Sequence, residues 1–294
     1  MLNEFYFLYS IMPNDKNIAI FVNSSAGKGK SLQLLSTVTD FLKRKQILHT
    51  VFVQDWPKIF SPFTEAWIIG GDGTLNYFLN YFSDINIPLV LFKGGTGNDF
   101  AWKLYGDISI DEQLRLVLNA DEKSVDAATC NDKIFINGVG IGFDGEVLKS
   151  MNTVRLLGGH LGYLVVVLKK IFTFKEYFFS IKSNVFSSSD KYLLLMISNS
   201  SRTGGGFHVS PLAQINDGFL NLIVCEKLSV FKRLRYLPVI EKGKHLSLPF
   251  IKHFTATSFV INCERETPAQ LDGEFISAKD FSIKILPKRY LFKY

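Results

Sequence analysis

The run WIIGGDGTLN, from Trp67 to Asn76, sets one carboxylate, Asp72, in a turn built on Gly70, Gly71 and Gly73. Ile68 and Ile69 suit a buried strand, and Thr74 opens an amphipathic helix through Leu75, Phe78 and Leu79. Bare amides ahead of a helix N-terminus attract an anion, so the expected chemistry is phosphate binding. Asp72 would repel a phosphate directly; its useful role is through a divalent cation or an ordered water. A second run, KGGTGNDFAWKL from Lys93 to Leu104, repeats strand, glycines and helix. Thr96 can donate a hydroxyl to phosphate and Asn98 can bond backbone or ribose. Asp99 adds a carboxylate at the same end of the sheet, where ligands of open α/β sheets gather. Upstream, NSSAGKGKS from Asn23 to Ser31 lacks Walker spacing and alone reads as an ordinary strand-to-helix connection.

The second half of the chain carries its own acids. NGVGIGFDGEV holds Asp144 and Glu146, SPLAQINDGFL holds Asp217, and AQLDGEF holds Asp272 and Glu274. The pair Asp217-Gly218 is first of all a hairpin signal, although the carboxylate with neighbouring carbonyls would suit a hard cation. Asp272 and Glu274, two residues apart, suit a turn and suit proton abstraction from an alcohol equally well.

The elements that must position these groups follow from hydrophobic periodicity. Strands are expected at 18–22, 47–54, 66–69 and 88–92, with helices at 30–45, 74–82, 99–104 and 111–119. This alternation predicts an α/β N-terminal domain with a parallel sheet over residues 1–130. From Lys133 strand-like runs dominate, with a helical insertion around 162–172, which predicts a β-rich domain over 131–285. The tail from about 286 to 294 is free to return to the first domain. With no low-complexity linker, the two domains should enclose a cleft.

Composition sets the frame. The 294 residues are 47% hydrophobic, enough for a large core, and the formal charge of +6 suits anionic lipid, phosphate or nucleic acid without choosing among them. No arginine-rich run, zinc spacing or stacking motif supports nucleic acid. Cys130, Cys225 and Cys263 are odd in number and far apart, which fits a reducing cytoplasm, and the five histidines show no metal pairing. The apolar start FYFLYSIM carries Glu4 and no small-residue cleavage site, so no signal peptide is expected; Met12 is an alternative start. The run Leu156 to Leu168 is broken by glycines and falls short of the roughly 20 residues a membrane helix needs.

Together the motifs resemble the diacylglycerol kinase catalytic-domain family, which includes bacterial lipid kinases and the sphingosine kinases. GGDGTLN, GGTGNDFA, GIGFDGEV, GGGFHVSPLAQINDGFLNL and LDGE match its blocks in order, from Asn23 to Glu274. The resemblance implies an ATP-dependent kinase whose N-terminal domain, related to NAD kinases and phosphofructokinases, binds nucleotide while a β-sandwich domain binds the lipid alcohol. It implies nucleotide contacts from Asn23, Ser24, Ser25, Ala26 and Gly27, from Gly70, Gly71, Asp72, Gly73, Thr74, Leu75 and Asn76, and from Thr96 and Asn98. Asp72 and Asp99 would organise Mg2+, partly through water. Glu274 matches the proton acceptor, with Asp272 a second candidate, and Asp126 an acidic position near the active site. Asp217 with the carbonyls of Gln214 and Phe219 matches a structural magnesium site of some bacterial members. The chain departs from the family at Ser24 and Lys93, where prolines are usual, and at Gln54, where relatives carry a threonine that touches ATP. Lys93 could add a phosphate contact.

The expected reaction is phosphoryl transfer from ATP to a membrane lipid alcohol, first diacylglycerol, by a cytoplasmic protein resting on the inner face of the membrane. A homodimer is left open. One candidate membrane surface is the stretch from Glu226 to Phe254, with Phe231, Leu234, Leu237 and Leu246 beside Lys232, Arg233, Arg235, Lys242 and Lys244. An ordinary solvated helix with a core face fits it equally. Two other readings stand beside the lipid kinase: a soluble kinase of the NAD kinase type, and a nucleotide-binding regulator without catalysis.

Overall fold

A computed structural model describes residues 16–53, 56, 57, 59–151 and 159–294, the side chains of 159–163 excepted. The apolar start with Met12, the Gln54 position and the first part of the run from Leu156 lie outside the described residues.

Four parallel strands form the first layer: β1 (Asn17–Val22), β2 (Leu48–Phe52), β3 (Glu65–Gly70) and β4 (Leu89–Lys93), in the spatial order β2-β1-β3-β4. β1 and β3 are buried almost throughout, as strands covered on both faces must be. The helices α1 (Lys30–Arg44), α2 (Asp72–Tyr81), α3 (Asp99–Tyr105) and α4 (Ile110–Asn119) connect or flank them. α4 begins with a capping box in which Ser109 and Glu112 each satisfy the other's backbone amide.

β5 (Glu122–Cys130) leads out of the first domain, and the second follows with β6 (Lys133–Phe135) and β7 (Gly138–Ile141), then α5 (Phe143–Met151) and α6 (Gly159–Thr173). Next come β8 (Tyr177–Lys182), β9 (Ser187–Ser198), β10 (Leu220–Glu226), α7 (Val230–Glu241) and β11 (Ile251–Ala256). The long strands β12 (Ser258–Leu271) and β13 (Glu274–Lys293) close the chain. β9 and β12 each pair with β7 at one end and β8 at the other, so the sheet folds over a second core containing Phe135, Phe179, Ile197 and Phe281. This is the expected two-domain architecture with a sandwich-like second domain.

β13 joins the halves. It starts paired with β12, runs antiparallel to β5, and ends with Phe292 beside Leu89 of the parallel strand β4. Its C-terminal end is fixed by a buried ion pair, Lys293 Nζ to Glu65 Oε1 at 3.1 Å, with Trp67 donating to the other Glu65 oxygen at 2.9 Å.

Candidate active site

The three glycine turns lie against one another. A Cβ on Gly95 would stand 2.3 Å from the Gly71 Cα, and one on Gly71 would stand 2.6 Å from the Gly97 carbonyl oxygen. Only bare backbone allows that approach, so the turns after β1, β3 and β4 form one continuous floor. Above it is a cleft of about 1150 Å3 whose walls come from both domains. The first domain contributes Asn23 to Gly27, Gly71 to Thr74, Thr96 and Asp99; the second contributes Asn137, Asp144, Gln270, Asp272 and Glu274.

Asp72 is pinned within this floor. Its carboxylate accepts from the amides of Asp99 and Phe100, each at 2.9 Å, and from Asn137 Nδ2 at 3.3 Å, so it caps α3. Burial raises its pKa against those hydrogen bonds. Asp99, buried beside it, accepts from the Gly205 amide at 2.7 Å and pairs with Arg202 Nε at 2.9 Å. Arg202 in turn lies over the Trp102 ring. Burial first, and the Asp72 charge second, push Asp99 up to about 6. Two neighbouring buried acids, both with raised pKa values, are the electrostatics a divalent cation relieves. Because the Asp72 oxygens are already engaged with amides, the pair fits a cation held through water rather than by direct ligation. Among the described residues no three His, Cys, Asp or Glu side chains converge as a direct metal cluster.

Asp272 and Glu274 separate cleanly. They flank Gly273 in the two-residue turn between β12 and β13, with φ of 48° at Asp272 and 87° at Gly273, the signs a primed hairpin turn requires. The Asp272 carboxylate points inward and accepts from the amides of Ile136, Asn137 and Gly138 at 2.7 to 3.0 Å and from Asn76 Nδ2 at 3.2 Å. With its oxygens filled, it is a clip and not a proton acceptor, although burial pushes it up to about 6. Glu274 is exposed and projects across the cleft; its Oε1 is 3.1 Å from where a Cβ on Gly73 would stand. One acid of the second domain therefore faces the first domain's glycine turn.

Other expectations need correction. Asp126 is fully buried away from the cleft and accepts from the amides of Gly218 and Lys288, tying β5 to the loop before β10 and to the irregular stretch of β13. Leu75 is wholly buried in the core, and Asn76 is spent on Asp272 and the Ile134 carbonyl, because both lie on the inner face of α2. Gly70 is buried under Thr74, and Asn98 clamps its own loop through the Gly95 amide and carbonyl, so neither reaches the cleft. Lys93 turns back to the Gly106 carbonyl rather than toward phosphate. At the Asp217 turn, one oxygen accepts from the Phe219 amide at 3.0 Å while Gln214 and Phe219 are exposed. Lys103 donates to the Ala213 carbonyl at 3.2 Å and senses the Asp217 charge. The side chains at this turn thus offer one carboxylate, with the Lys103 ammonium in its field.

Further cleft residues gain a role from the fold. Trp56, Tyr77 and Tyr81 form an aromatic wall at one end of the cleft, with Trp56 at 5.2 Å from the Tyr77 ring and 5.6 Å from Tyr81. The i, i+4 spacing of the two tyrosines was the available signal. Asn137 links Asp72 to the Asp272 turn. Asp144, at the other end, is buried with one carboxylate oxygen lacking any partner, and burial alone pushes it up to about 7. It sits at the start of α5, whose Gly145 packs on the Pro268–Ala269 backbone so closely that a Cβ would stand 2.2 Å away. Asp144 and Thr203 are shared with a narrow apolar crevice of about 70 Å3, lined by Val167, Ile171, Leu194, Phe207 and Leu237 among others. Polar cleft and apolar crevice meet at these two residues.

Comparison with known proteins agrees with this layout. The diacylglycerol kinase catalytic domain matches residues 17–130, and the YegS C-terminal NAD kinase beta sandwich-like domain matches residues 137–291. The chain is 30% identical over 230 residues to the "probable lipid kinase YegS-like" of Shewanella frigidimarina, covering 76% of this chain and 74% of that one. It is 31% identical over 232 residues to the protein of the same description from Yersinia enterocolitica, covering 74% of each. Among solved structures, a diacylglycerol kinase from Bacillus anthracis superposes with a TM-score of 0.72 at 22% identity, over 95% of this chain and 97% of that one, which shows a shared fold. A chain whose two halves carry these two domains in this order belongs to the lipid kinase family built from a diacylglycerol kinase catalytic domain and a YegS-type sandwich domain.

Proposed function

We propose that the protein transfers the γ-phosphoryl group of ATP to the hydroxyl of a membrane lipid alcohol, diacylglycerol first among them. The observation that carries this reading is the convergence of Asp72, Asp99 and Glu274, from three distant segments, on one cleft that runs into an apolar crevice. The base would rest against Trp56, Tyr77 and Tyr81, and the phosphates over the turns at Asn23 to Gly27, Gly71 to Thr74 and Thr96. Magnesium, when bound, neutralises the triphosphate; Asp72 and Asp99 would hold it through water. Glu274 accepts the proton of the attacking hydroxyl. Positioning and charge stabilisation supply most of the acceleration, since phosphoryl transfer has a loose transition state. Asp144 would take the remaining polar group of the acceptor while its acyl chain enters between α6 and α7.

Release of ADP with diacylglycerol in mixed micelles and Mg2+ tests the reading. Glu274→Gln should lower kcat about a hundredfold or more with nucleotide affinity kept, the scale of a lost general base. Asp272→Ala should instead lower stability by about 3 kcal/mol, because it orphans three buried amides. Turnover stimulated by NAD and by no lipid alcohol would sink the proposal.

A further inference from the structure

α7 presents only part of the surface its sequence suggested. Leu234 and Leu237 pack inward against α6, Leu246 packs against the neighbouring core, and Arg233 is buried. Arg233 donates to the carbonyls of Ile171 and Phe174 at the end of α6, each at 3.0 Å, and to Glu176 at 2.6 Å, locking the two helices together. What stays outside is Phe231 with Lys232 and Arg235, joined by residues of α6. Phe231 is 85% exposed at the start of α7, and Phe172 is 62% exposed at the end of α6, next to the carbonyls that Arg233 holds. Along α6, Val165, Leu168 and Phe172 recur at three- and four-residue spacing on its exposed side, over the buried Val166, Val167 and Ile171. Large apolar side chains grouped at one corner are not explained by the core they leave.

Cations outnumber carboxylates around this corner. Lys169, Lys175, Lys227, Lys232 and Arg235 are exposed there. The carboxylates of residues 164–176 and 226–241 are Glu176, Glu226 and Glu241; Glu176 is spent on Arg233 and Glu226 on Lys252. Directly under the corner, Val167 and Ile171 of α6 and Leu237 of α7 line the apolar crevice that reaches Asp144 and the cleft.

We infer that the exposed edge of the α6–α7 pair is a docking surface for an anionic lipid bilayer, with Phe172 and Phe231 as the inserting side chains and the surrounding lysines and arginine as contacts to headgroup phosphates. The inference rests on the lipid kinase reading for its purpose: a surface seated on the bilayer over the crevice lets an acyl chain pass from membrane to cleft without crossing water. Charge complementarity favours the bilayer over an acidic protein, because the apolar residues stand outward among flexible cations instead of forming a shaped recess.

Flotation with vesicles of phosphatidylcholine alone, and with added phosphatidylglycerol, tests it on the full chain. The protein should bind the anionic vesicles about tenfold or more tightly than the neutral ones, and less at high salt. The paired variant Phe172→Ser, Phe231→Ser and the paired variant Lys232→Glu, Arg235→Glu should each lose about tenfold of that binding. Both should phosphorylate a water-soluble short-chain diacylglycerol within about twofold of the parent, which shows that they are folded. Equal binding by parent and variants, or no preference for anionic vesicles, would overturn the inference even if turnover on lipid in detergent is normal. Conversely, vesicle binding that follows the variants without turnover on any lipid alcohol would keep the surface and remove the proposed reaction. A dimer in sedimentation that Phe231→Ser dissociates would reassign the corner to a second copy of the chain.

Discussion

Asp144 shows how a single side chain can bear both on ligand recognition and on stability. It is buried with an unpartnered oxygen, and burial pushes its pKa up to about 7. Its folded pKa is thus above its unfolded one, so the native chain binds a proton that the unfolded chain releases until near pH 4. The folded state is then penalised by ionisation above pH 7 and relieved of the penalty as pH falls through 7 toward 4. Asp99 and Asp272, each raised to about 6, act in the same direction. Asp144→Asn should remove one proton from this linkage. Denaturant unfolding followed between pH 5 and pH 7 should show the dependence on pH reduced by about 1.4 kcal/mol per pH unit relative to the parent. An unchanged slope would mean that Asp144 is ionised and solvated in the folded protein.

At the scale of elements, the site is made by turns that interlock rather than by any one loop. Gly95→Ala would drive a methyl group into the Gly71 backbone, so the turns after β3 and β4 must separate. ATP binding measured by calorimetry should fall at least tenfold, the order set by a displacement of about 1 Å at a binding site. The parallel strands and their helices were legible in the sequence because each strand is a short apolar run ending in glycine or polar residues, and each helix has its own period. Helices expected at 30–45 and 99–104 occur at Lys30–Arg44 and Asp99–Tyr105. α2 starts two residues before Thr74 because Asp72 and Gly73 form its first turn. α5 was hidden: GFDGEV carries two glycines, and only its packing on β12 makes Gly145 acceptable in a helix. The roles of Asp126 and Asp272 were hidden for a different reason. Their partners are amides more than 90 residues away, at 218 and 288 for one and 136 to 138 for the other, and no local pattern encodes such pairs.

Across the whole molecule, two cores are joined by one strand. β13 begins at Glu274 in the cleft and ends against β4, so the proposed proton acceptor and the floor of glycine turns are joined through one continuous sheet. The far end is secured by Lys293 on Glu65, a buried pair that Lys16 shares at 3.2 Å. Glu65→Gln leaves two lysines facing a neutral group and should cost about 3 kcal/mol in denaturant unfolding, with loss of kinase turnover well before global unfolding. A cost below about 1 kcal/mol would show that water, not Glu65, compensates Lys293.

The late return of this strand also orders events during synthesis. On the ribosome, residues 89–93 emerge some 200 positions before their neighbour at 290–293. Until that neighbour arrives, the rim of a half-finished sheet is open to any passing extended peptide. The first domain therefore waits for the last residues of the chain before the rim at β4 is covered.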